Sequence, residues 1–155
     1  MPAPRRNDRS GRARSLARRL AMQALYQWQM TGQTFSELRH QFASEEEYAD
    51  VDPDYFVALL EGVLADAPTL DGKLSELIDR PVAQLDPVEH AVLMLGVHEL
   101  LHRLDVPYRV VINENVELAK KFGATEGHKF INAVLDRAAR TLRATEQAAA
   151  RKTRD

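Results

Sequence analysis

The chain has 155 residues, of which 45% are hydrophobic, 28% charged and none cysteine, and its formal net charge is −2. That length and apolar share suit one small domain, or two halves around a packed interior. The lack of cysteine excludes a disulfide framework, a thiol nucleophile and Cys-rich zinc sites, and no apolar run reaches the ~18 residues of a membrane span.

The charge is unevenly spread. Residues 1–20 hold seven Arg and one Asp, giving +6, and residues 137–155 hold six basic and two acidic residues, giving +4. By difference, residues 21–136 carry −12. Basic ends suit a polyanion, and an acidic body suits a basic protein partner. Residues 1–11 (MPAPRRNDRSG) lack an apolar anchor and are expected to form a disordered basic arm. They also lack the apolar core of a secretion signal, and the absence of cysteine fits a reducing compartment, so a cytoplasmic chain is expected.

The first helix is expected from about Arg12 to Met30. Leu16, Leu20, Ala24 and Trp28 repeat every four residues as a buried stripe. Arg14 and Arg18 lie four apart on another face, with Arg12 and Arg19 nearby. Tyr26 continues that face two turns on. No Asp or Glu lies between Gly11 and Phe35, which favours an external anion such as an RNA backbone for these guanidinium groups. Phe35, Leu38 and Phe42 mark a short second helix. Asp52-Pro53 opens a third, and Asp66-Ala67-Pro68 should end it. A fourth, with Leu70, Leu74, Leu77 and Ile78, closes at Arg80-Pro81.

Asp86-Pro87 begins the fifth helix, with Asp86 as cap and Glu89 in the place of a capping-box acid. Glu89 could instead contact a basic partner. Apolar residues surround much of this helix, and Gly96 within it predicts close approach by another helix. It also contains His98-Glu99-Leu100-Leu101-His102, which matches the zinc-hydrolase pattern H-E-x-x-H. No downstream H-x-x-G-x-x-H extension follows, so solvated or capping histidines are the favoured reading and a metal site is not expected.

The segment from Val106 to Ala138 reads as two helices joined by a tight turn. Pro107 suits a first helical turn, Gly123 a left-handed helix end, and Thr125 the next N-cap. Lys121, Glu126, His128 and Lys129 crowd around the turn beside Phe122 and Phe130. Cations and aromatics at a helix start can cradle a phosphate and stack a base, or they can form an ordinary solvated joint. After Leu142 the basic tail, residues 146–155, is expected to fray.

VINENVELAKKFGATEGHKFINAVLD closely resembles the C-terminal signature of the NusB family of bacterial transcription antitermination factors. RRLAMQALYQWQM, DVDPDYFVALLEGV and LDPVEHAVLMLGVHELLHRLDVP extend the resemblance over roughly residues 14 to 143. Periodicity alone predicts an all-α protein of about seven helices in two packed helical sub-bundles, and the resemblance implies the same fold over residues 12–145. It further implies that the chain binds single-stranded boxA RNA with the ribosomal protein NusE. Together they would act on RNA polymerase with other Nus factors, without catalysis, cofactor or membrane. By motif, it implies RNA contacts from Arg12, Arg14, Arg18 and Arg19, and from Lys121, Phe122, Glu126, His128, Lys129 and Phe130. Tyr26 and Glu89 match positions turned toward NusE. The alternatives are a zinc metallohydrolase and a non-catalytic helical adaptor. The NusB-like domain fused to some RNA methyltransferases needs a cofactor domain that 155 residues cannot hold.

Overall fold

A computed structural model describes residues 6–154, with side chains over 10–152. The helices are α1 (Arg6–Thr31), α2 (Phe35–Ala43), α3 (Pro53–Leu77), α4 (Pro87–His102), α5 (Tyr108–Phe122), α6 (Gly127–Leu142) and α7 (Ala144–Arg154). Short 3-10 helices span Glu46–Asp50 and Val82–Gln84, and there is no strand among the described residues. The chain divides into two units, Met1–Ala65 and Asp66–Asp155, with the division inside α3.

Among the described residues the count of seven holds, but for different reasons at two places. The break expected at Pro68 is absent, and α3 runs through it. Val63, Ala67, Leu70 and Leu74 are all buried and continue one stripe across the proline. That burial outweighs the lost N–H and the steric cost of about 3 kcal/mol. The tail supplies the compensating helix, α7, rather than fraying. At the other end α1 starts at Arg6, so residues 6–11 extend a helix already nucleated by its buried stripe. The rest of the expected arm, residues 1–5, lies outside the described residues.

In the first unit, Thr34 and Glu37 form a capping box at the start of α2. Phe56 is fully buried, with Phe42 at 6.4 Å and Tyr48 edge-on at 5.7 Å between ring centroids. The Asp52 carboxylate accepts from the Tyr55 N–H at 3.0 Å and caps α3.

In the second unit, Asp86 accepts from the N–H groups of Val88 and Glu89, as its position before Pro87 predicts. Ten consecutive residues of α4, Ala91 to Leu100, are buried. A Cβ at Gly96 would lie 2.6 Å from Leu135 Cδ2, so the glycine is what lets α6 approach. Arg143, 3% exposed, closes the other end of α4. It donates to the carbonyls of Leu100 at 2.7 Å, Arg103 at 2.8 Å, Val106 at 2.9 Å and Glu99 at 3.2 Å. It also pairs with Glu146, whose other oxygen accepts from the Tyr108 N–H at 2.9 Å. These bonds tie the first turn of α7 to the ends of α4 and α5.

Candidate nucleic-acid interface

The arginines of α1 are mostly engaged within their own unit. Arg18 is 2% exposed, with its guanidinium 5.2 Å from the Tyr55 ring centre and 3.3 Å from the Tyr55 hydroxyl. Arg14 lies over the same ring at 4.6 Å and 4.0 Å from Asp52. Arg19 pairs with Glu47 at 3.0 Å. The acidic neighbours missing from the local sequence thus arrive from the 3-10 helix and the start of α3. Arg12 is exposed. Tyr26, 41% exposed, presents its ring at the surface.

The turn between α5 and α6 has the opposite character. Gly123 is extended rather than left-handed. Its need for glycine is steric, because a Cβ there would meet the Ala119 carbonyl oxygen at 2.7 Å. The left-handed residue is Glu126, with φ of 71°. A non-glycine residue in that region stores about 1–3 kcal/mol of strain, and such strain clusters at functional sites. Glu126, rather than Thr125, stands at the N-cap of α6 and gives no side-chain cap. Lys121 and Lys129 are exposed, Phe122 is 38% exposed, and His128 is half-buried. Lys129 pairs with Glu126 at 2.5 Å, but both side chains are largely in solvent, where such a pair contributes about 0–1 kcal/mol.

Behind the turn lies a chain of contacts that sequence spacing does not reveal. The Arg80 guanidinium stacks 4.4 Å from the Phe130 ring centre and 3.6 Å from the Glu89 carboxylate. Glu89 Oε1 is 3.0 Å from where a Gly127 Cβ would stand. The Glu89 side chain is only 12% exposed, and burial, followed by the nearby Asp86, raises its pKa against the pull of Arg80. Glu89 is therefore turned inward, holding Arg80 on Phe130. Arg80 marked only a helix end in the sequence, since its partners lie 9 and 50 positions away.

The HELLH segment is packed rather than open. Glu99 is fully buried and His98 is 7% exposed, with the His98 and His102 rings 4.8 Å apart. Burial, then the neighbouring His102, pushes His98 down to about 4, with Asp66 opposing and Arg103 adding to the shift. Among the described residues, no group of three His, Cys, Asp or Glu side chains could hold a metal ion.

Residues 15–140 match the model of the NusB family. The chain belongs to that family. A transcription antitermination protein NusB from Marinomonas sp. is 51% identical over 155 residues, covering 97% of this chain and 89% of the relative. Another, from Idiomarina loihiensis, is 51% identical over 135 residues, covering 87% and 97%. The structure resembles the crystal structure of antitermination factors NusB and NusE in complex with double-stranded RNA, with a TM-score of 0.72 and 26% identity. That likeness covers 82% of this chain and 96% of the other. Like its NusB relatives, the chain serves transcription antitermination, a role without catalysis. None of its described helices is long and apolar enough to cross a membrane.

Proposed function

We propose that the chain acts by binding the boxA element of nascent RNA together with NusE, in the cytoplasm, and so helps RNA polymerase and other Nus factors read through terminators, notably in ribosomal RNA operons. What carries this reading is the exposed set Lys121, Phe122 and Lys129, at a helix start without a side-chain cap and within the family-matched residues. The lysines meet phosphates, and Phe122 stacks an unpaired base. His128 and the Glu126 carboxylate, once released from Lys129, offer polar contacts to base edges. Phe130 gives one ring face to Arg80, which fixes its position behind these groups.

In α1, Arg12 meets the RNA directly. Arg14 and Arg19 do so by exchanging half-exposed acidic partners for phosphates, a cheap exchange at the surface. Arg18 acts through Tyr55 by fixing the helix that carries them. Tyr26 contacts NusE, and Glu89 supports the interface through Arg80. The acidic body favours a basic ribosomal protein as the partner.

Fluorescence anisotropy tests this with labelled boxA RNA, its scrambled form and a boxA duplex, with and without NusE, over a salt series. The expected result is a preference for single-stranded boxA that tightens with NusE. Equal binding to boxA and scrambled RNA in both conditions would overturn the reading. Tighter binding to the duplex would replace the single strand as the ligand.

A further inference from the structure

A second basic site lies at the opposite end of α5 from the turn. Three helices meet there around a cleft of about 250 Å³, lined by Tyr108, Arg109, Asp136, Arg140, Gln147 and Arg151. Each helix contributes one face. Asp136 and Arg140 stand four apart on α6, and Gln147 and Arg151 stand four apart on α7. Tyr108 and Arg109 open α5. Three guanidinium groups thus face one carboxylate. Asp136 engages Arg140 at 3.3 Å with both side chains largely exposed, which leaves the cleft cationic.

The construction points to a phosphate ligand. Arg109 Nε donates to the Tyr108 hydroxyl at 3.2 Å, which orients the guanidinium plane beside the ring. The α5 N-terminus itself is not the anion site, because Glu146 already accepts from the Tyr108 N–H. The cleft is smaller than the ~300–1,000 Å³ of small-molecule pockets and lacks their apolar lining. A single phosphodiester of a longer strand fits that size and polarity, and forked guanidinium groups suit its paired oxygens.

The site also accounts for a charge pattern left over from the sequence. Of the six basic residues in the C-terminal segment, Arg143 is consumed inside the fold and Arg137 donates to the Leu77 carbonyl at 2.7 Å. Arg140 and Arg151 line the cleft. Tyr108, Arg109, Asp136 and Arg140 lie within the family-matched residues, whereas the α7 wall of the cleft lies beyond them.

We propose that the cleft between the start of α5, α6 and α7 holds the phosphodiester backbone of an RNA strand, as a second contact about 20 Å, one helix length, from the α5–α6 turn. The identity of the strand as one that also carries boxA rests on the proposed function, but the cleft's preference for a phosphodiester does not.

The test uses the full chain and the Arg109→Gln/Arg151→Gln variant, with melting curves confirming that both fold. Each is titrated with boxA alone, with boxA extended by about ten nucleotides on either side, and with a scrambled RNA of the extended length; at ~3.4 Å per phosphate the extension exceeds the helix length. The variant is expected to bind short boxA like the unsubstituted chain. On an extended RNA its log–log salt slope should fall by about 1.4, with affinity down roughly tenfold near 0.15 M salt. Equal slopes for the two proteins on every extended RNA overturn the proposal. If boxA and scrambled RNA bind alike yet the variant still loses slope, the boxA reading fails and the cleft stands. Inorganic phosphate is titrated separately against the arginine side-chain NMR signals. Phosphate binding in the cleft with no slope change on RNA assigns it to a free anion and overturns the RNA contact.

Discussion

The arginine face of α1 and the turn between α5 and α6 look alike in the sequence, as clusters of cations beside aromatics. They differ in what already occupies their charges. Arg18 and Arg14 share the Tyr55 ring, and Arg19 pairs with Glu47. Lys121 and Lys129 extend into solvent, and Phe122 beside them is more than a third exposed. A buried cation held by groups of its own fold is part of the scaffold, and replacing it changes stability. An exposed cation is available to a ligand, and replacing it changes binding. The two regions therefore separate the structural from the functional use of the same residue chemistry.

Arg143 is the extreme case of the inward kind, and its replacement should have the largest effect. Arg143→Met takes the side-chain donor from the carbonyls of Leu100 and Val106, while those of Glu99 and Arg103 keep the backbone N–H groups of Arg103 and Val106. At about 1–3 kcal/mol for each buried group left unsatisfied, partly relieved by water, the loss should be about 3 kcal/mol or more. For a chain this size that lowers Tm by roughly 6–12 °C. An unchanged melting curve would mean that these bonds are not what holds α4 to α7.

His98 gives the next largest effect, through pH. Its folded-state pKa, near 4, is below the unfolded value of 6.5, so the fold favours neutral imidazole. Its stabilisation relative to the unfolded chain is fully present above pH ~6.5 and is lost as pH falls toward 4. Between pH 7.5 and 5.0 the loss should be about 2 kcal/mol, at 1.36 kcal/mol per unit. His98→Leu should remove that part of the pH dependence of Tm. Parallel curves for the two proteins would show that His98 does not set it. Arg18→Ala should cost about 1–3 kcal/mol, because the buried Tyr55 hydroxyl loses a donor and the aliphatic stem leaves a gap. If Arg18→Ala weakens RNA binding while Tm stays fixed, Arg18 belongs with the exposed group and the contrast between the regions fails.

Much of the fold was legible because periodicity and caps are local. Asp86-Pro87 and the apolar stripes of α5 and α6 each depend on residues within a few positions of one another, and Gly96 inside an apolar helix marks a close approach without naming Leu135 as the neighbour. The misread places depend on distant partners. Pro68 sits inside a helix because buried leucines on both sides continue the stripe. The tail is helical because Arg143 finds carbonyls some 40 positions earlier in the chain. At the candidate site, the exposed lysines and Phe122 were readable as a cluster around a turn. The inward set was not, because Arg80 reaches Phe130, and Arg18 reaches Tyr55, only once the chain is folded. An acid-free stretch of sequence was a poor guide to unpaired charge, since Asp52 and Glu47 come from other elements.

The smallest expected changes in stability belong to the turn, and its effects on binding decide the comparison. Lys129→Ala removes an exposed ammonium and a surface pair with Glu126, so stability should stay within about 0.5 kcal/mol. If Lys129 neutralises one phosphate of a single strand, the salt slope for boxA should fall by about 0.7 and affinity by roughly fourfold near 0.15 M salt. Lys121→Ala should do the same, and the double variant should give the sum of the two slopes. Phe122→Leu should keep the slope and still weaken binding, by about 1–3 kcal/mol if a base stacks on the ring. A loss of slope at Phe122 would instead indicate that the ring only positions the lysines. Unchanged binding in all of these variants would leave the turn as a solvated helix joint, and the RNA surface would have to lie elsewhere.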